Sequence, residues 1–158
     1  MRRQFSKTIV ELAEKDPAIV LLIGDFGYGV IDEYKNRFPE RFFNMGICEQ
    51  AMISVAAGMA LEGLKPYVYT ITPFLIERPF EQVKLDIDQQ CTNVTLVGYA
   101  DYPSQGPTHA ELDAFNLMKL FKNIRSYFPS DSRETHDALI DSYNNPKPAF
   151  ISLKKDRL

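Results

Sequence analysis

Glu49 is the residue on which chemistry can be built. It follows Gly46-Ile47-Cys48 and opens a stretch rich in Ala, Met and Gly, Glu49 to Leu61. A carboxylate at a helix start is favoured by the free N–H groups there, so a dipole-matched surface glutamate is one account. A buried acid is the other. The stretch behind Glu49 is apolar, and Ile53, Ala56, Ala57 and Ala60 make a small-residue face that permits close packing. Burial disfavours the charged form of a carboxyl and lets it share a proton. His109, in Gly106-Pro107-Thr108-His109, is one of two histidines. It can carry a proton or donate to an oxyanion near neutral pH, or simply hold a turn. The other, His136, sits at a polar helix position and reads as a solvated surface group. Phe74, Arg78 and Phe80 share one loop. An arginine fork suits a pair of phosphate oxygens, though an arginine is equally at home on an ordinary surface. Asp25 stands among Gly24, Gly27 and Gly29, as a turn residue or as an acid beside a ligand. The glycine spacing is wrong for a dinucleotide fingerprint, and no P-loop lysine follows.

The elements that position these residues alternate. A helix over Arg3 to Lys15, with Phe5, Ile9, Leu12 and Ala13 on one face, precedes a strand from Ile19 to Ile23. A short helix from Ile31 to Arg37 stops before Pro39. The run Phe42 to Met45 reads as a buried strand and leads into the helix Glu49 to Leu61. A strand from Tyr67 to Ile71 follows, then a helix from Thr72-Pro73 to about Gln90. Next come a strand from Val94 to Gly98, an irregular loop from Tyr99 to Ala110, and a helix from Leu112 to Phe121. A strand from Ile124 to Tyr127 precedes a helix from Arg133 to Asn145, with Asp131-Ser132 as its cap. The strand Ala149 to Leu153 is the last element. Continuous branched-apolar strands alternating with helices predict an α/β, three-layer sandwich around a mostly parallel sheet of about six strands. In such sheets ligands bind beyond the carboxyl ends of the strands. That rule selects Gly24 to Gly29, Gly46 to Glu49, Thr72 to Phe80 and Asp101 to His109, the segments that hold the reactive residues.

Composition sets outer limits. The 158 residues suit one domain with a sizeable core, at 45% hydrophobic and 25% charged. A net charge of −3 argues against nucleic acid as the main partner. No apolar run approaches a membrane span. The opening residues, MRRQFSKTIVELAEKDP, lack the apolar core of a secretory signal. Cys48 and Cys91 have no metal-like spacing and fit reduced thiols of a cytoplasmic protein.

The string GICEQAMISVAAGMALEGLKPYVYT, with TPFLIERPFEQVKLDI and SQGPTH beyond it, resembles the pyrimidine-binding domain of transketolases. It is also similar to the corresponding domain of deoxyxylulose-phosphate synthases. The resemblance runs from Ile19 to Leu158. It implies a thiamine-diphosphate enzyme that moves a two-carbon ketol unit from a ketose donor to an aldehyde or ketone acceptor. Glu49 matches the glutamate that hydrogen-bonds a ring nitrogen of the aminopyrimidine and favours its imino tautomer. Phe74 matches the aromatic residue that packs on that ring, with Phe80 either beside it or in the core. Asp25 stands where the family has an acid near the cofactor, at the boundary between subunits. His109 matches the histidine facing the reacting carbon. Arg78 aligns, across a one-residue gap, with a substrate-phosphate arginine of the synthases.

The departures point away from an ordinary pentose-phosphate substrate. Gln105 stands four residues before His109, where transketolases have an aspartate that recognises a sugar hydroxyl. A second family histidine has no match in Gly98-Tyr99-Ala100-Asp101-Tyr102. Lys154 takes the place of a phosphate-binding arginine. No GDG motif with a downstream asparagine follows, and the family's C-terminal domain has no counterpart. The expectation is therefore one pyrimidine-binding domain over residues 1–158, with no metal site of its own. A separate diphosphate-binding subunit would hold Mg²⁺ or Ca²⁺, in a heterotetramer of two copies of each chain acting on small sugars. The rival readings are a deoxyxylulose-phosphate-synthase-like enzyme, a 2-oxoacid dehydrogenase β-type subunit, and a non-catalytic α/β module that binds a ligand or assembles.

Overall fold

Side chains on successive strand residues point to opposite faces of a sheet, and here both faces are apolar. In strand β1 (Ile19–Ile23) every residue is buried. Ile19, Leu21 and Ile23 enter one core, and Val20 and Leu22 the other. Strands β3 (Lys65–Ile71), β4 (Thr95–Tyr99) and β6 (Ala149–Leu153) are likewise covered on both sides. The computed structural model describes residues 1–102 and 106–155. With β2 (Phe42–Asn44) and β5 (Arg125–Tyr127) it holds a six-stranded sheet in the order β2-β1-β3-β4-β6-β5. Every pairing is parallel. The predicted class and strand count agree with this.

Helices fill both faces. α1 (Arg2–Lys15) buries the predicted Phe5, Ile9, Leu12 and Ala13 in the first core, joined there by Leu139 of α6 (Ser132–Asn144) and Tyr34 of α2 (Asp32–Arg37). Met52, Ile53, Ala56 and Ala57 of α3 (Glu49–Leu61) fill the second core with Met118 of α5 (Ala114–Met118). Each such fully buried large side chain is worth about 1.5–3 kcal/mol. Asp131 caps α6 as predicted, its carboxylate accepting from Glu134 N at 2.8 Å. No described helix is long and apolar enough to cross a membrane.

Several expectations change. β2 is an edge strand, half-buried at Phe42 and Phe43 and exposed at Asn44; it has a neighbour on one side alone, so it is not the buried strand its apolar letters suggest. α3 is covered along one face, while Ala51, Ser54, Val55 and Gly58 are exposed. The single helix expected from Thr72-Pro73 to Gln90 is two wide π-type turns, Pro73–Glu77 and Val83–Gln89, around a short α4 (Phe80–Gln82). Pro79 has no N–H to donate, which opens the turn there. α5 begins only after Asp113, whose carboxylate accepts from Asn116 N at 3.1 Å, so Leu112 stays outside it.

The strand order creates the crevice. From β1 the chain moves outward to β2, then crosses back through α3 to β3 on the other side of β1. The loops leaving β1 and β3 therefore diverge, which is where parallel sheets leave room for ligands.

Candidate active site

A cavity of about 280 Å³ opens at that crevice. Gly24, Asp25 and Phe26 line it from the end of β1, and Ile47 and Glu49 from the turn into α3. Thr70, Ile71, Phe74 and Arg78 come from β3 and the wide turn beyond it, Tyr102 and His109 from the segment after β4. The four loops selected from the sequence thus meet in one place.

Glu49 is the first residue of α3 and is only 2% exposed. Its Oε1 accepts from Arg78 Nη1 at 2.8 Å. A buried carboxylate without a partner is strongly unfavourable, so this pair explains how the charge is carried. The wide turn makes the meeting possible. Arg78 N donates to Pro73 O at 2.9 Å, five residues back instead of four, and the extra residue turns the side chain toward α3. The guanidinium carbon also lies 3.7 Å from the centroid of the Phe74 ring, a stacked cation–π contact. One face of Phe74 and one oxygen of Glu49 thus hold a flat, cationic, N–H-bearing group between them. Any planar nitrogen ring with the same donors fits the same demands.

His109 closes the opposite side. It ends a 3₁₀ turn, Pro107–His109. Its ring meets Phe74 edge-on at 5.0 Å between centroids and stacks on Tyr102 at 5.7 Å. The Thr108 hydroxyl is 3.1 Å from Nδ1. Among the described residues Nε2 has no partner, so it is the nitrogen left for a ligand.

Asp25 sits in the left-handed region, with φ of 47°. Its carboxylate accepts from the Tyr28 hydroxyl at 2.7 Å and from Asn44 Nδ2 at 3.1 Å. Those two bonds, Tyr28 first, hold its carboxyl below the ordinary value. Asn44 Oδ1 in turn accepts from Asp25 N and Gly46 N, which ties the β1 loop to the turn before Glu49. Gly27, with φ of 102°, lies against Tyr69, whose ring would stand 2.9 Å from an added Cβ. A side chain there would push the rim open.

Not every predicted residue arrives. Phe80 packs on Phe121 at 5.4 Å beside the second core, because the wide turns carry it to the far side of the segment. Lys154 follows β6, two strands away from β3, and its backbone N–H donates to Met1 Sδ at 3.1 Å. Neither lines the cavity. Gln105 lies outside the described residues. Phe26, Ile47 and Tyr102 are lining residues that the sequence reading did not single out. An aromatic or apolar side chain a few residues beyond a strand's carboxyl end is the signal that would have found them.

The entire chain, residues 1–158, matches the family model described as the transketolase pyrimidine-binding domain. It is 36% identical over 156 residues to a 1-deoxy-D-xylulose-5-phosphate synthase of Dictyoglomus thermophilum, covering 97% of this chain and 25% of that one. It is 37% identical over 126 residues to one of the subunits of an apulose-4-phosphate transketolase of Actinobacillus succinogenes, covering 78% and 40%. The structure superposes on a split-gene transketolase, described as an inactive β4 tetramer, with a TM-score of 0.89 at 30% identity, over 99% of this chain and 52% of that one. The chain thus spans between a quarter and about half of the proteins it resembles. The parallel sheet, the buried glutamate at the head of α3 and a match over its whole length agree: this chain belongs to the transketolase pyrimidine-binding domain family.

Proposed function

We propose that this chain is the pyrimidine-binding subunit of a split, thiamine-diphosphate-dependent transketolase-like enzyme. It transfers a two-carbon ketol unit from a ketose donor to an aldehyde or ketone acceptor, and it acts only with a partner subunit. The observation that carries this reading is Glu49, buried at the head of α3 and lining the same cavity as Phe74. The fit to an aminopyrimidine is supported by the guanidinium already seated there at 3.7 Å. The cavity, about 280 Å³, suits one ring of the cofactor; a whole drug-sized ligand takes about 300–1,000 Å³. Bound thiamine diphosphate supplies the electron sink for carbon–carbon cleavage.

The chain's own residues bind and orient. With the cofactor bound, Glu49 would share a proton between its carboxyl and a ring nitrogen. Phe74 presents its face to the ring, an aromatic contact worth about 0.5–1.5 kcal/mol beyond area burial. His109 offers Nε2 to an oxygen of the substrate, as proton carrier or hydrogen-bond donor. Asp25 keeps the rim in place. Arg78 and Gln105 serve the substrate.

The partner reading is supported by the surface. Ile47, 74% exposed, lines the cavity just before α3, and Tyr28, 70% exposed, lies on the loop that carries Asp25. A helix apolar on all sides belongs in an interior, and a second subunit can supply it. That subunit holds the diphosphate through Mg²⁺ or Ca²⁺, in an assembly of two copies of each chain. Residues 1–158 form a single pyrimidine-binding domain within it. A deoxyxylulose-phosphate-synthase-like reaction is the second reading, favoured by the 36% identity to such a synthase. Both are tested by co-purifying the chain with a diphosphate-binding transketolase subunit and screening ketose donors by product mass. A ketol-transfer product supports the first reading and a 1-deoxy sugar phosphate the second. A stable monomer that ignores the partner, with no product, would sink both.

A further inference from the structure

Arg78 stands where the ring has to go, and this inference rests on the reading of Glu49 and Phe74 given above. Two contacts seat a flat nitrogen heterocycle: the face of Phe74 and an oxygen of Glu49. Arg78 uses both, at 3.7 Å from the ring centroid and 2.8 Å from Oε1. Both are already at contact distance, so a ring that takes that face of Phe74 and that oxygen of Glu49 has to replace the guanidinium. Arg78 is also the sole ion-pair or hydrogen-bond partner of the Glu49 carboxylate among the described residues. Without it the free subunit would carry a buried, unpaired charge, which is costly. The exchange is sterically open, because the Arg78 side chain is 31% exposed and stands on the rim.

We propose that Arg78 is the resident counter-ion of Glu49 in the cofactor-free subunit, and that a ring seated on Phe74 expels it to the cavity mouth, where it becomes an anion-binding group. The two duties exclude one another. While the guanidinium is held at Glu49, an anion on it would lie beside a buried carboxylate of the same sign. Once the ring has taken over Glu49, the fork is free for a pair of phosphate oxygens. Ring and anion therefore bind with positive coupling, and by linkage each tightens the other by the same factor. The ring's apparent affinity is lowered by the fraction of molecules in which Arg78 has not moved.

Calorimetry on the full chain tests this with thiamine, which carries the ring without the diphosphate, and with inorganic phosphate. Thiamine binding is expected to tighten about tenfold in Arg78→Gln, since the internal competitor is gone. In the parent, saturating thiamine is expected to tighten phosphate binding several-fold; in Arg78→Gln phosphate binding and the coupling both vanish. Arg78→Lys keeps a charge at Glu49 without the planar stack, so thiamine should bind with intermediate affinity. Circular dichroism reports whether Arg78→Gln folds. If it does not, Arg78→Lys and the parent's coupling carry the test. Unchanged or weaker thiamine binding in the variants, or no coupling in the parent, overturns the exchange while leaving the ring site standing. Failure of thiamine to bind any of the proteins overturns the ring site and the exchange with it.

Discussion

Glutamine at position 49 isolates what the acid does. It keeps the shape and still hydrogen-bonds, so the core around Ile53 and Ala57 should be undisturbed. Arg78 loses a charged partner but is exposed enough to turn to water. Glutamine cannot share a proton with a ring nitrogen. Glu49→Gln is therefore expected to lower turnover by about 10²–10⁴, the general acid–base range, with fold and assembly retained. Steady-state rates of the reconstituted enzyme and hydrogen–deuterium exchange at the thiazolium carbon are the measurements. Rates within a few-fold of the parent would remove Glu49 from the mechanism, and an unfolded variant would make it a structural acid. At this scale Glu49, Phe74 and His109 were legible because each is fixed within a short motif to a strand end or a helix start. The partner of Glu49 was not. A bond between residues 49 and 78 depends on a wide turn, and a wide turn leaves no periodic mark in the letters. Which of the two places open to Phe80 it takes, the core, depends on the same wide turns.

α3 shows how an element can be legible while its surroundings are not. Its bounds, Glu49–Leu61, match the pattern of small and apolar residues. Apolar letters on every side say that the whole helix will be covered, not by which chain. The small-residue face around Ala56 and Ala57 turns into the chain's own core, and the face through Val55 is left open. Val55→Lys tests the open face. In the free chain the change is a surface substitution, within about ±0.5 kcal/mol of the parent. In the assembly it buries an unpaired charge. Light scattering with the partner subunit is expected to show loss of the complex, while the free chain keeps its melting temperature within a few degrees. An intact complex would place the partner elsewhere. α5 was read too long for a related reason. Leu112 and Leu120 are apolar but 64% and 65% exposed and lie outside it, so they mark a surface rather than a helix's buried side.

Across the whole molecule, the end of the sheet opposite the cavity is tied together by Asp16. Its carboxylate accepts from Lys65 Nζ at 2.6 Å, from Ala18 N at 2.9 Å and from the Tyr143 hydroxyl at 3.1 Å. These bonds join the turn after α1 to β3 and α6. Burial pulls the carboxyl upward, but the Lys65, Ala18 and Tyr143 bonds outweigh it and the group is lowered. A carboxyl lowered on folding adds stability above its unfolded value of about 3.9. That stability is lost as pH falls through the lower folded value. Asp16→Asn should therefore be less stable than the parent at neutral pH, and the gap should close as pH falls through the lowered folded value of the carboxyl. Denaturant titrations at a series of pH values measure it; a gap that is constant with pH would assign the loss to packing. The class, the parallel sheet and its strand count followed from strands of unbroken branched residues. The order β2-β1-β3-β4-β6-β5 did not, because pairing partners are chosen by crossovers rather than by the strands' own letters.

That order has a consequence for how the chain is made. β6, residues 149–153, lies between β4 and β5, yet both of its neighbours are synthesised before it. β4 ends at Tyr99, and its outer edge has no native strand to take until Leu153 has been added. At roughly 5–20 residues per second, that interval is roughly three to eleven seconds. Throughout it a growing chain presents a row of unpaired backbone groups that another chain can pair with. The strand that completes this sheet is also the one that ends its period of greatest exposure to aggregation on the ribosome.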